Sequence, residues 1–346
     1  MKNRNFAIDM ARGISLLTLP VVHSALFYAP GEIIDTTLGQ LLAFVAEFVG
    51  APVFMVAMGW SIAQGGRKSM AWICSKSIWL LLMGYLLNFL KFDLLFCAGL
   101  LPDSFFEINN IGRDWQGMLH LLMIGDILQL AAISYFIGAL LMRATTPHSK
   151  VVPVLFAAVI LLSPLTWQLS PLSHPLGSFV SLLNGMPPTC FFPLFPWLAY
   201  PLAGMLFHRF TETTDKKRHL SLVCMIAVVM ILAGSLLLHW EPVSWHSNFY
   251  RLGPAGTIIH VASAVLFVCI CSFISGKWVF KNQNSLLQIL SKNVTAVYFI
   301  QWLLVCWCMI IFGYRQLRGI ELGFAIIIIT SLTIFFSTLY DKLKKR

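Results

Sequence analysis

The chain has 346 residues, of which 58% are apolar and 11% charged, with a mean hydropathy of +0.80. A soluble domain carries about 25% charged residues, so the composition excludes a soluble globular fold. It points instead to an all-α polytopic integral membrane bundle, one transmembrane domain over residues 1–346. The formal net charge of +10 is not a nucleic-acid footprint, because no basic stripe with interleaved aromatics stands outside the apolar segments.

Read in chain order, the apolar segments are 9–29, 38–63, 70–90, 118–141, 151–166, 191–208, 220–240, 256–275, 293–313 and 320–340, about ten spans. The first follows a basic start, Met1-Lys-Asn-Arg-Asn5, like that of a signal peptide. No A-x-A-like cleavage site follows Ser24, so it reads as an uncleaved first span. The fifth is short against the roughly 20 residues a span needs. Two long loops, 91–117 and 167–190, separate spans on the outer side, and no Gly-rich phosphate loop or ATPase module is present.

The basic residues give the orientation. With the N-terminus inside, 19 of the 24 Lys and Arg fall on the cytoplasmic side, and only Lys91, Arg113, Arg251, Arg315 and Arg318 fall outside. Lys and Arg collect in cytoplasmic loops, so the bias implies an even number of spans with both termini cytoplasmic. The expected location is the plasma (inner) membrane, with a homo-oligomer left open.

Of the eight cysteines, Cys74, Cys224, Cys269, Cys271, Cys306 and Cys308 lie in apolar segments and read as small core residues. Cys97 and Cys190 fall in or near the outer loops, where a disulfide between them stays open. The Cys-x-Cys pairs lack zinc spacing, and His120, His239, His246 and His260 lack ligand spacing among themselves, so no metal is expected.

The first segment holds the chemistry. Arg12 and His23 stand eleven residues apart. On an α-helix that separation is about 20° past three turns and about 16 Å along the axis, so the two share one face. Ionisable residues inside a membrane are expensive and mark function by default. A neutral imidazole can take the proton of an attacking hydroxyl or amine, which makes His23 a candidate general base. Pro20 can open the helix beside it. Glu47 and Asp126 are acids within spans at similar depth, and either could orient the imidazole or hydrogen-bond between helices; Glu47 is the first choice because it lies on the next span.

The opening Asp9-x-x-Arg12-Gly13, with His23 ten residues on, resembles the first helix of membrane-bound acyltransferase family 3. Pro52-Val-Phe-Met-Val-Ala-Met-Gly59-Trp60, followed by Arg67-Lys68, resembles that family's second-helix motif, with Met58-Gly59-Trp60 in place of its usual Ser-Gly-Phe. Gly125-Asp-Ile-Leu-Gln-Leu-Ala-Ala-Ile-Ser-Tyr135 and Phe192-Pro-Leu-Phe-Pro-Trp-Leu-Ala-Tyr-Pro-Leu-Ala-Gly204 are similar to the heparan-α-glucosaminide N-acetyltransferase group. Ser291-Lys-Asn-Val-Thr-Ala-Val-Tyr298 fits either group.

The resemblance implies an acyltransferase that takes an acetyl group from cytoplasmic acetyl-CoA and gives it to an extracytoplasmic sugar or glycoconjugate. On that reading His23 and Glu47 are catalytic. Arg12, Arg67, Lys68 and Lys76 meet the anionic coenzyme. Asp126, Asp114, Trp115 and Arg251 meet the acceptor, although aromatic belts also place Trp at this level. A transporter or flippase for a sugar or lipid-linked sugar fits the same spans and buried charges.

Overall fold

The computed structural model describes residues 5–34, 36–146, 149–167, 176–211, 216–275 and 285–345. Among them no strand occurs, and the bundle expected from composition is present. Its principal helices are α1 (Phe6–Tyr28), α2 (Thr37–Gly65), α3 (Met70–Cys97), α4 (Ile127–Ala144) and α5 (Val151–Thr166), then α6 (Ala199–Thr211), α7 (Lys216–Leu237), α8 (Pro254–Ser275), α9 (Val294–Phe312) and α10 (Gly319–Lys344). Eight of these are long and apolar enough to cross a membrane; α5 and α6 are shorter, with 16 and 13 residues. On α7, Met225, Val229, Leu232 and Leu236 are exposed, as suits a face turned to lipid.

Two expected boundaries move. Segment 118–141 is two helices, Trp115–Leu122 and α4, because Asp126 ends the run between them. Its carboxylate accepts from the Ile127 amide at 2.7 Å, and Gln129 Oε1 accepts from the Asp126 amide at 3.2 Å, a capping box that starts α4 afresh. Segment 70–90 runs on to Cys97 instead of ending, so Lys91 lies buried inside α3 and not in an outer loop. The loops hold helices of their own, Asp103–Asn109 and Leu176–Asn184; residues 168–175 of the second loop lie outside the described residues. All eight cysteines are free thiols, and burial pushes the Cys190 thiol up to about 12.

α2 and α3 each contain a π segment, Ala46–Gly50 and Phe89–Asp93. A π turn adds a residue and disturbs the backbone ladder, a cost in lipid unless other groups step in. Ser15 Oγ donates to the Val49 carbonyl at 2.6 Å, and Trp307 Nε1 donates to the Leu90 carbonyl at 3.0 Å.

The chain divides into two compact units. The first comprises Met1–Ala51, Leu87–Leu122 and Cys271–Arg346; the second comprises Pro52–Leu86 and Met123–Ile270. In the first, α1 packs on the short helix Leu286–Lys292 and on α9 through Leu16, Leu290 and Val297. A Cβ on Gly13 would overlap the Leu287 backbone, so the glycine of the opening motif is what lets these segments meet. Beside it, Ser291 Oγ donates to Asp9 Oδ1 at 2.7 Å, and Asn293 Nδ2 donates to Asp341 Oδ1 at 2.8 Å. The motifs at 9–13 and 291–298 are therefore one packed joint.

In the second unit, α2 and α6 cross backbone to backbone. A Cβ on Gly59 would overlap the Pro201 carbonyl, and a Cβ on Gly204 would overlap the Val56 carbonyl. Small residues at such crossings allow the close approach that holds membrane helices together. Ile62, Ile73 and Ala139 form the core nearby.

Candidate active site

His23 lies half-buried in the C-terminal half of α1, and α9 supplies what surrounds it. Its Nδ1 is 2.9 Å from Gln301 Oε1. Gln301 is fully buried, and its Nε2 donates to the Tyr298 carbonyl at 3.3 Å. That bond fixes which end of the amide faces His23, since a flipped amide would set oxygen against oxygen. An amide oxygen only accepts, so Nδ1 carries the hydrogen and Nε2 of the neutral ring carries the lone pair.

The ring is also held face-on. Trp302 stacks on it with centroids 4.0 Å apart and planes 21° apart. Phe27 meets Trp302 edge-on at 5.4 Å. The Lys91 ammonium lies 4.5 Å from the centre of the Trp302 ring and 5.0 Å from that of Phe92. The indole thus carries an imidazole and an ammonium at once, a cation–π arrangement away from water. Two polar groups here meet no partner among the described residues: the indole Nε1–H of Trp302, and both carboxylate oxygens of Asp93, which is 1% exposed.

The other expected residues fall as follows. Arg12 is half-buried in the N-terminal half of α1, which is helical without interruption to His23, so the spacing of about 16 Å, roughly three turns, holds. Glu47 is half-buried in the π segment of α2, and the hydrogen bond to Nδ1 expected of it comes from Gln301 instead. Asp114 accepts from the Gly117 amide at 2.8 Å and starts the helix on which Trp115 stands 68% exposed.

These residues belong to the first unit; the rest belong to the second. Asp126 caps α4. Arg67 donates to the Thr145 carbonyl at 3.3 Å while Arg143 donates to the Lys68 carbonyl at 3.1 Å, a reciprocal clamp between the α2–α3 turn and the end of α4. The Lys76 ammonium lies 3.9 Å from the Trp79 ring centre. The Arg251 guanidinium lies 5.1 Å from the Trp167 ring centre. No group of three or more His, Cys, Asp or Glu among the described residues is placed to hold a metal ion.

Sequence reasoning singled out His23 and passed over Gln301, Trp302, Lys91 and Asp93 as parts of a site. The available signal for the first two was their place three and four residues after Tyr298 on a face of α9; for the last two it was a pair of charges at the end of an apolar run.

The family model described as heparan-alpha-glucosaminide N-acetyltransferase, catalytic, matches residues 4–239, more than half of the chain. The stretch includes His23, Arg12, Lys91 and Asp93 and ends before Gln301 and Trp302. The matching model is that of the N-acetyltransferase group, so the likeness to acyltransferase family 3 stays with the sequence motifs and is not confirmed. No curated protein matches the chain.

Proposed function

From the premise that this chain belongs to the heparan-alpha-glucosaminide N-acetyltransferase catalytic family, and so is a membrane acetyltransferase, we propose that it moves an acetyl group from cytoplasmic acetyl-CoA to a hydroxyl or amine of an extracytoplasmic sugar or glycoconjugate. The observation that carries the proposal is the Gln301–His23 hydrogen bond of 2.9 Å. It leaves the lone pair on Nε2, where an attacking hydroxyl or amine can give up its proton. A general base in this position contributes about 10²–10⁴-fold. Orientation of the imidazole by a hydrogen bond to its other nitrogen follows the logic of catalytic triads, with a neutral amide in the third position.

Arg12 is assigned to a phosphate of coenzyme A, which its planar guanidinium suits. Arg67, Lys68 and Lys76, in the second unit, keep the coenzyme A assignment that their charge suggests in the sequence. For Arg67 part of the guanidinium is already engaged with Thr145, so only its remaining donors are available. Asp114, Trp115 and Arg251 are assigned to the acceptor, and Glu47 and Asp126 to support of the helices that carry the site.

The test is transfer of labelled acetyl from acetyl-CoA, in membranes holding the full chain, to a panel of sugars and glycolipids. The expected result is a labelled acceptor with the wild-type chain, a loss of about 10²-fold or more in kcat with His23→Ala, and a raised KM for acetyl-CoA with Arg12→Gln. Intact-mass measurement with acetyl-CoA alone separates direct transfer, which leaves the protein unmodified, from a route through acetylated His23. Movement of a solute that needs His23, with label never reaching an acceptor, would replace the enzyme with a transporter.

A further inference from the structure

We infer that Trp302 is a catalytic residue: its indole Nε1–H binds the oxygen of the transferring acetyl group as negative charge develops there. The inference rests on the acetyl-transfer reading above.

The indole nitrogen can only donate. Trp302 is 8% exposed, and Nε1 meets no acceptor among the described residues. An unmet buried donor is destabilising, a cost that a ligand oxygen at Nε1 would remove. The position fits such a ligand. The indole is stacked on the His23 imidazole at 4.0 Å, so base and donor sit on rings one van der Waals layer apart. The proposal places a single carbonyl group with the attacking atom near Nε2 and its oxygen near Nε1–H.

The indole is held in advance as well. Phe27 meets its edge, and the Lys91 ammonium lies 4.5 Å from its centre. A cation on the ring face draws electron density from the indole and strengthens its N–H as a donor. A donor fixed before the reaction, in a site sparing in water, is where electrostatic stabilisation of a transition state is largest.

The step balances as follows. The acceptor oxygen (or nitrogen) forms a bond to the thioester carbonyl carbon, its proton passes to His23 Nε2, and the carbonyl electron pair moves onto the oxygen held by Trp302. When the intermediate collapses, the C=O bond returns, the C–S bond breaks, and the sulfur leaves with the proton from Nε2 as coenzyme A thiol.

Trp302→Phe keeps a ring for the stack and for Lys91 but removes the donor. Replacement of Trp302 by β-(3-benzothienyl)alanine, with sulfur in place of N–H, keeps the whole bicyclic shape and guards against a folding defect. The expected result for both is a kcat lowered about 10²-fold, with KM for acetyl-CoA and the melting temperature of the sulfur variant unchanged. A sulfur variant with wild-type kcat overturns the inference and leaves the acetyl-transfer reading standing. A wild-type chain that transfers no acetyl overturns both.

Discussion

At the scale of single residues, the decisive quantity is the tautomer of His23. With Gln301 in place, the hydrogen is held on Nδ1 and the lone pair stays on Nε2. Without the amide, both tautomers become available and the ring can turn on Trp302. Gln301→Leu, close in volume and unable to hydrogen-bond, is expected to lower kcat about tenfold or more while KM stays near wild type, since outer partners of a reactive histidine are worth about 10–100-fold at metal sites. Steady-state kinetics of labelled acetyl transfer reads this directly. An unchanged kcat would mean that the imidazole is oriented by something else, Glu47 included.

His23 was legible in the sequence because a charge-bearing ring in a membrane helix has few idle uses. Gln301 and Trp302 were not, because a neutral amide and an indole in an apolar helix look like ordinary bundle residues. Their role comes from a neighbour 278 positions away. In the sequence Lys91 and Asp93 look like the edge of a loop because two charges close an apolar run. A π turn carries the helix past them and buries both.

At the scale of elements, the resemblance motifs turn out to be the places where helices touch. Gly13 admits the Leu287 backbone, while Gly59 and Gly204 admit the carbonyls of Pro201 and Val56. The spans themselves followed from hydropathy, but which glycine faces which carbonyl needs coordinates. The break before α4 was hidden for a related reason: Asp126 reads equally as a buried acid and as a helix cap, and only the Ile127 and Gln129 hydrogen bonds decide between them.

The close approach can be tested. Gly59→Ala and Gly204→Ala each force a methyl group into backbone, which cannot give way as a side-chain tip would. Each is expected to cost about 1–3 kcal/mol, the usual price of overpacking, read as a lower melting temperature of detergent-purified protein. Gly323→Ala in α10 is the control: its Cβ would meet nothing within 4 Å, so the melting temperature is expected to hold or rise. Equal behaviour of all three variants would remove the α2–α6 crossing as the reason for these glycines.

At the scale of the whole molecule, the orientation rests on charge. The structure removes Lys91 from the five basic residues expected outside, because it is buried in α3. The bias toward the inner side is thereby sharpened, not weakened. We propose an even number of spans with both termini inside, which puts the segment before α10 outside and the end of α10 inside, with Arg318 at one end of that helix and Lys345 at the other. Both are exposed, so a thiol at either position is open to reagent on its own side. Cys97 is the one native thiol classed as exposed and is replaced first by Cys97→Ala; thiols in lipid ionise poorly and stay silent. In that background, Arg318→Cys is expected to react with a membrane-impermeant maleimide in intact cells, whereas Lys345→Cys reacts only after permeabilisation. The reverse pattern would place Arg12 on the outer side and His23 on the inner, and acetyl-CoA from the cytoplasm would then meet the imidazole end of α1 before the guanidinium end, contrary to the order of binding and transfer assigned to them.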